Sequence, residues 1–463
     1  MSESGTSQEQ RNALDRFLLL FADVRAGEGL TAILLTLNLF LLLTAYLIIK
    51  TVREALILSE GGAEIKSYAA AGQALLLLVI VPAYGYLASK VNRIRLINWV
   101  TFFFVSNLVA FYLLAQFRVP LGVPFFLWVG IFNLFVIAQF WSFANDIYTE
   151  EQGKRLFAIV AFGGSLGATL GPKVASWLFA PFGAYRLMLV TAALLAASVI
   201  FPNVVNKREK ARGGIGKKAA EADKPLGKEG AFKLVIGKRY FFLIAVLMVA
   251  LNLVNTTGEF ILGKTVTEEA QRIATVEIAA STGAATDGLA QEQKAKKVQD
   301  FIARFYGNFF FSVNLLSALI QLFLVSRIMK FCGVPASLFF LPLIALGGYS
   351  FVAFMPVLAY IQVAKILENS TDYSLQNTAR QALFLPTSRE EKYKAKAAID
   401  TFFVRIGDVL STVLVFLSVH LALSVRVLSG INVMLIALWL LLVFGIGRSY
   451  RALTADQAKG ALQ

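Results

Sequence analysis

The sequence predicts an all-α polytopic membrane protein, about twelve transmembrane helices in two halves of six. Three observations carry that expectation. Of 463 residues, 57% are hydrophobic and only 16% charged, with a mean hydropathy of +0.67, well outside the balance of soluble domains. Apolar windows of about twenty residues, the length that crosses roughly 30 Å of hydrocarbon, recur along nearly the whole chain. These windows form two sets, separated by the polar, basic stretch NKREKARGGIGKKAAEADKPLGKEG. An outer-membrane barrel would show strands of about ten residues with alternating polarity, and the sequence has no such alternation.

The windows centre roughly on residues 40, 78, 106, 134, 168, 196, 250, 318, 345, 366, 410 and 437. Residues 1–27 are polar and charged, with no apolar run ahead of a small-residue cleavage site, so they are expected to be a cytoplasmic tail and not a secretory signal. Residues 28–204 make the first half; 205–239 are a cytoplasmic linker too poor in large apolar side chains to form a core. Residues 240–449 make the second half, with a long outer loop at 264–304, and 450–463 a cytoplasmic tail. Within that loop AQEQKAKKVQDFIARFYGN has the period of an amphipathic helix. The short loops bearing Lys90, Arg93 and Arg95, then Arg327 and Lys330, then Arg389, Lys392 and Lys394 all fall on one side of a twelve-span chain. Basic loops stay inside, which predicts the cell inner (cytoplasmic) membrane with both termini cytoplasmic.

The net charge of +15, from 44 Lys/Arg against 29 Asp/Glu, is what such loops produce against anionic lipid headgroups, and no nucleic acid partner is expected. Cys332 stands alone, which excludes an intramolecular disulfide and a thiolate cluster. The single histidine, His420 in LSVHLAL, reads as satisfied or interfacial. There is no Ser/His or HExxH constellation and no Walker A loop, so neither an enzyme nor an ATP-driven pump is expected, and no metal or cofactor. The lipid bilayer and a small-molecule substrate are the expected partners of a monomer.

Charges inside spans cost at least about 2.5 to 3.5 kcal/mol each in hydrocarbon, so they are expected to face a wet cavity or one another. They lie in helical stripes: Asn252, Asn255, Thr256 and Glu259; Asn314, Ser317 and Gln321; Lys365, Glu368, Asp372 and Gln376; Thr401, Arg405, Asp408 and Thr412. In the first half Lys50 and Arg53 end one span, and Asn145 and Asp146 another. Two readings stand side by side for each stripe, a substrate pathway or structural ion pairs such as Lys365 with Glu368 and Arg405 with Asp408.

The halves resemble repeats. GYLASKVNRIRLINW after the second window and FLVSRIMKFCGVPASLF after the eighth share a small residue, a Ser-basic pair and a further basic residue, a plan similar to that of major facilitator transporters. GGSLGATLGPKVASW, with Gly167, Gly171 and Pro172, is similar to the G-x-x-x-G-P element of that superfamily's exchangers, although small residues four apart also serve plain helix packing. Four further stretches resemble the ATP/ADP exchange translocases of plastids and intracellular bacteria: KTVREALIL with GGAE after it, FWSFANDIYTEEQGKRLF, STDYSL, and FLPTSREEKY leading into KAKAAID. The resemblance implies counter-exchange of nucleotides by alternating access. It also implies that Lys50, Arg53, Lys396 and Arg405 meet the phosphates with Tyr373 beside the base, and that Asp146, Glu259, Asp372, Asp400 and Asp408 gate or couple. Phe140, Trp141 and Tyr373 offer stacking surface for an adenine or simple packing. Thr51 stands where the family has an acid, and Asp408 follows AAID where the family tends to carry a glycine-lysine-serine run. A proton-coupled permease for another solute, such as a drug, peptide or cell-wall fragment, is the alternative.

Overall fold

A computed structural model describes residues 12–19, 23–117, 119–211, 231–281, 287–387, 395, 396 and 398–460. Among these residues there is no strand. The basic residues Arg389, Lys392 and Lys394, and most of the expected linker and N-terminal tail, lie outside the described residues.

The helices, in chain order, are α1 (Ala13–Leu18), α2 (Gly29–Glu60), α3 (Gly62–Lys90), α4 (Arg93–Ala115), α5 (Gly122–Ile147), α6 (Glu150–Ser198), α7 (Ile200–Ala211) and α8 (Ala231–Gly237). They continue as α9 (Arg239–Ser281), α10 (Asp287–Phe323), α11 (Val325–Ser337), α12 (Phe340–Phe354), α13 (Leu358–Thr371) and α14 (Asn377–Ala382), then α15 (Val404–His420) and α16 (Val425–Gly460). Two segments are π-helical: π1 (Asp372–Gln376), between α13 and α14, and π2 (Ile399–Phe403), leading into α15. An all-helical chain is what the bilayer demands, because each backbone N–H and C=O must be satisfied within its own segment.

Eight of these helices are long and apolar enough to cross a membrane, or nine with α11 and α12, which meet at 75°. Length and apolarity alone therefore do not reach the expected twelve, for three physical reasons. The windows near 168 and 196 fuse in α6, where Pro181 and Gly183 at φ 73° kink the helix without ending it. The window near 366 carries Lys365, Glu368 and Asp372 and is split by π1. The window near 410 enters through π2, leaving α15 at 17 residues.

Caps fix the element starts. Thr149 and Gln152 form a reciprocal capping box on α6, Gln152 N–H donating to Thr149 Oγ1 at 3.2 Å and Thr149 N–H to Gln152 Oε1 at 2.9 Å. Asn92 caps α4 through its side chain. The stretch 264–304, expected as a loop, is helix on both sides of residues 282–286, as extensions of α9 and α10. Its Ala, Glu, Gln and Lys residues are strong helix formers, and Lys297 pairs with Glu277 at 2.5 Å.

The chain divides into two compact units. Unit 1 comprises Met1–Leu56, Leu77–Lys224 and Ala303–Phe311; unit 2 comprises Ile57–Leu76, Pro225–Ile302 and Ser312–Gln463. The end of α2 and the start of α3 therefore belong with the second set of helices, and a short piece of α10 with the first.

In unit 1, α6 lies against α2 through small residues. A Cβ on Gly171 would stand 2.8 Å from the Thr44 carbonyl oxygen and 3.0 Å from Leu47 Cβ, which is closer than packed atoms tolerate. Gly171→Ala is expected to cost about 1–3 kcal/mol in thermal unfolding of the purified protein. Gly72→Ala, where nothing lies within 4 Å, is expected to be neutral in the same measurement.

The foot of α2 is tied by Glu28. Its Oε1 accepts from Arg155 Nη2 at 3.0 Å and Gln152 Nε2 at 3.1 Å, and its Oε2 from Arg155 Nη1 at 3.0 Å and the Arg25 N–H at 3.0 Å. Burial alone would raise this carboxyl, but Arg155 and the two neighbouring donors outweigh it and hold it below the ordinary glutamate value. A depressed folded value stabilises above the unfolded pKa, and that stability is lost as pH falls through the folded one. Melting of the wild type is therefore expected to lose stability on acidification below roughly pH 4.5. Glu28→Gln should lack that component of the acid transition.

Candidate substrate-binding site

Unit 2 gathers most of the expected polar stripes. Gly407 makes this possible: its position leaves no room for a side chain, since a Cβ would meet Asn252 Cβ at 2.7 Å and the Val249 carbonyl oxygen at 2.8 Å. α15 therefore lies close against α9, which brings Thr256 Oγ1 to donate to Asp408 Oδ1 at 3.2 Å and sets Thr257 and Ser411 3.2 Å apart. Arg405 Nη1 donates to the other Asp408 oxygen at 3.0 Å, one of the two ion pairs the stripes suggested.

The second pair is also present and is larger than the stripes implied. Lys365, 1% exposed, reaches Glu368 at 3.1 Å, Glu259 at 3.7 Å and Asn255 Oδ1 at 2.7 Å. Tyr349 donates to Glu368 at 2.9 Å, and Asn369 to Glu259 at 3.1 Å. Lys66, from α3, approaches Glu259 at 3.8 Å. Two lysines thus face two carboxylates, a neutral set whose members each find several partners, as burial requires.

One turn further on, the stripe enters π1. A π-turn shifts the helical register and is frequent at functional sites. Here it leaves Asp372 Oδ1 and both polar atoms of the fully buried Gln376 without a hydrogen-bond partner among the described residues. Arg380, the next member at i+4, donates to Asn377 at 3.1 Å, while its Nε is buried without a partner. Tyr373 is 47% exposed. Lys396 is half-buried and Asp400, in π2, is exposed; although four apart, they form no ion pair.

In unit 1, Arg53 is held by Glu54, its Nη2 donating to Oε1 at 2.5 Å, and lies over the Phe126 ring at 4.6 Å. Lys50 has no acid partner among the described residues; its ammonium sits 4.2 Å above Phe310 in α10. Lys173 shares that stretch of α10, donating to Asn308 Oδ1 at 2.9 Å and lying 5.5 Å from the Phe311 ring. Asp146 pairs with Arg93 at 2.7 Å at the ends of α5 and α4. Phe140 is 3% exposed and packs with Trp141, which packs in turn on Phe157, so in this structure both serve as packing. His420 Nδ1 meets the Phe416 carbonyl at 2.9 Å, and among the described residues there is no group of three metal-ligating side chains.

The profile of the family described as TLC ATP/ADP transporter matches residues 125–450, about 70% of the chain. The chain belongs to that family. It is 21% identical over 397 residues to ADP,ATP carrier protein 1 of Chlamydia pneumoniae, covering 75% of this chain and 68% of that one. It is 23% identical over 309 residues to ADP,ATP carrier protein 1 of Chlamydia trachomatis serovar D, covering 58% and 53%. Among solved structures it is similar to the nucleoside transporter NupG, with TM-score 0.60 at 10% identity over 92% of this chain and 99% of that one. A bacterial homologue of the human lysosomal transporter Spinster gives TM-score 0.58 at 14% identity over 92% and 98%. At these identities the structural likeness establishes the fold alone, a helical fold shared with these two proteins.

Sequence reasoning passed over several charged groups of this transporter. Glu54 follows Arg53 directly, and Arg380 extends the Asp372–Gln376 stripe by one more step of four; both were within reach of the spacing argument. Lys173 stands in the quoted GGSLGATLGPKVASW, and a charge inside a span is itself a signal. Lys66 and the two π-turns left no comparable mark in the sequence.

Proposed function

We propose that this membrane transporter exchanges nucleotides of the ATP/ADP type, or closely related phosphorylated anions, by alternating access. The observation that carries the reading is the pair Lys50 and Lys173. Both are cations inside spans, both border one stretch of α10, and neither has an acid partner among the described residues. A cation left uncompensated in a span is costly and becomes favourable once a polyanion arrives, so these two lysines are the phosphate-receiving cations of unit 1; Lys396 is a separate candidate phosphate contact in unit 2. Arg53 and Arg405 are held by Glu54 and Asp408 and compete for phosphate only by leaving those acids. Glu259, Asp146, Asp372, Asp400 and Asp408 act as gating or coupling acids, and Tyr373 is exposed enough to meet a base. The transporter resides in the cytoplasmic membrane with both termini inside.

A second reading, a proton-coupled permease for another solute such as a drug or peptide, is favoured by Asp372, whose Oδ1 is buried without a hydrogen-bond partner among the described residues. Uptake of labelled ATP into liposomes separates the two. Under the exchange reading ADP and ATP compete strongly, and adenosine, which lacks phosphate, does not. Uptake of another solute driven by a pH step, indifferent to nucleotide, would establish the permease instead. Lys396→Gln is expected to raise the apparent ATP constant about tenfold; an unchanged constant removes Lys396 from the site.

A further inference from the structure

A cavity of about 420 Å³, lined by none of the striped residues, lies within unit 2 where α2 gives way to α3. Its wall includes the Gly61–Gly62 break, the middle of α9 and the turn after α15. Gly62 at φ 69° and Ala422 at φ 48° both line it, so two chain reversals in left-handed backbone shape its rim. α2 ends at Glu60, α3 starts at Gly62 and α15 ends at His420. Three helix ends thus meet at this cavity, as suits the border where hydrocarbon gives way to headgroups.

Lys264 and Glu268 project into this cavity from α9. They are four apart on one helical face, near enough to pair, yet no ion pair forms between them and neither has another charged partner among the described residues. Glu64 adds a second carboxylate, steadied by the Tyr68 hydroxyl at 2.7 Å. Phe260, Val419 and Leu423 complete an apolar wall, and the adjoining Leu421 is 67% exposed. A simple anion would satisfy Lys264 but face two carboxylates; a simple cation would reverse the problem. A zwitterion satisfies both.

We propose that this cavity binds a phosphoethanolamine group, the headgroup of a zwitterionic phospholipid, with the phosphate on Lys264 and the primary ammonium on Glu268 and Glu64. A primary ammonium brings three N–H donors for the two carboxylates; a trimethylated ammonium brings none. The apolar wall receives the glycerol and the first acyl carbons. The site is separate from the nucleotide reading and stands or falls without it.

Thermal shift of the purified, delipidated protein tests the proposal, titrating dihexanoyl phosphatidylethanolamine, the matching phosphatidylcholine and phosphatidylglycerol, and free phosphoethanolamine. The ethanolamine lipid is expected to stabilise at concentrations about tenfold lower than the other two lipids. Lys264→Ala and Glu268→Ala should each abolish that preference and Lys264→Arg retain it. Lys294→Ala, which alters a charge on the neighbouring cavity that also includes Glu268, should leave it intact. Free phosphoethanolamine acting as strongly as the lipid would keep the zwitterion site and overturn its lipid source. Equal responses to all three lipids, a preference that survives both alanine variants, or one lost equally in Lys294→Ala would overturn the proposal.

Discussion

Replacing Lys365 by alanine is expected to destabilise the purified transporter by about 3–5 kcal/mol and to abolish uptake, because it strips the central cation from a buried set and leaves a carboxylate without its counter-charge. Lys365 is 1% exposed and touches Glu368, Glu259 and Asn255. Its removal strands Glu368 in particular, whose remaining hydrogen-bond partner among the described residues is the Tyr349 hydroxyl. Neutralising both ends together should be far milder: Lys365→Met with Glu368→Gln keeps comparable volume and buries no lone ion. A double-mutant cycle in thermal unfolding checks this. A coupling near zero would mean that the two side chains act independently, contrary to the geometry.

Asp408→Asn and Arg405→Gln are expected to move the apparent ATP constant in opposite directions. Arg405 is held by Asp408 at 3.0 Å, and Thr256 supports the carboxylate from α9. A phosphate chain must draw the guanidinium away from this acid, so removing the acid leaves the cation available and should tighten the constant about tenfold. Removing the arginine should weaken it by a similar factor. One unit of charge at several ångströms and an effective dielectric near 20 is worth on the order of a few kcal/mol before solvent screening, enough to allow for either shift. Uptake kinetics of both variants, at matched expression, decide it; a shift in the same direction for both would show that the pair serves only structure.

The fold was legible because the bilayer imposes simple rules. A stretch of about twenty apolar residues with few charges marks a membrane-crossing helix, and the chain is helical throughout its described residues. The stripes of α9, α13 and α15 were readable for the same reason, since a charge in hydrocarbon needs a partner and helical spacing shows where it points. Asn255 and Glu259 do meet Lys365, and Thr256 meets Asp408. What escaped the sequence is tertiary. The approach of Lys66 to Glu259 depends on where the end of α2 and the start of α3 pack, and no local period encodes that. Lys173 on Asn308 joins residues 135 positions apart. The π-turns at Asp372 and Ile399 come from a single shift in hydrogen-bond register, which the side chains of DYSLQ and IDTFF do not announce. In the polar stretch 264–304 the helical period of AQEQKAKKVQDFIARFYGN was legible and lies in α10, whereas the run of α9 on to Ser281 was not, because its polar composition resembles that of a loop.

Obligatory exchange of nucleotides is read from uptake that depends on what the vesicle holds. Purified protein reconstituted in liposomes is loaded internally with ADP, with adenosine or with buffer alone, and uptake of external labelled ATP is followed without any pH or ion gradient. Rapid uptake only into ADP-loaded vesicles, reduced by Lys50→Gln and by Lys173→Gln, is the expected result. Equal uptake into empty vesicles, or none until a proton gradient is imposed, would contradict the account.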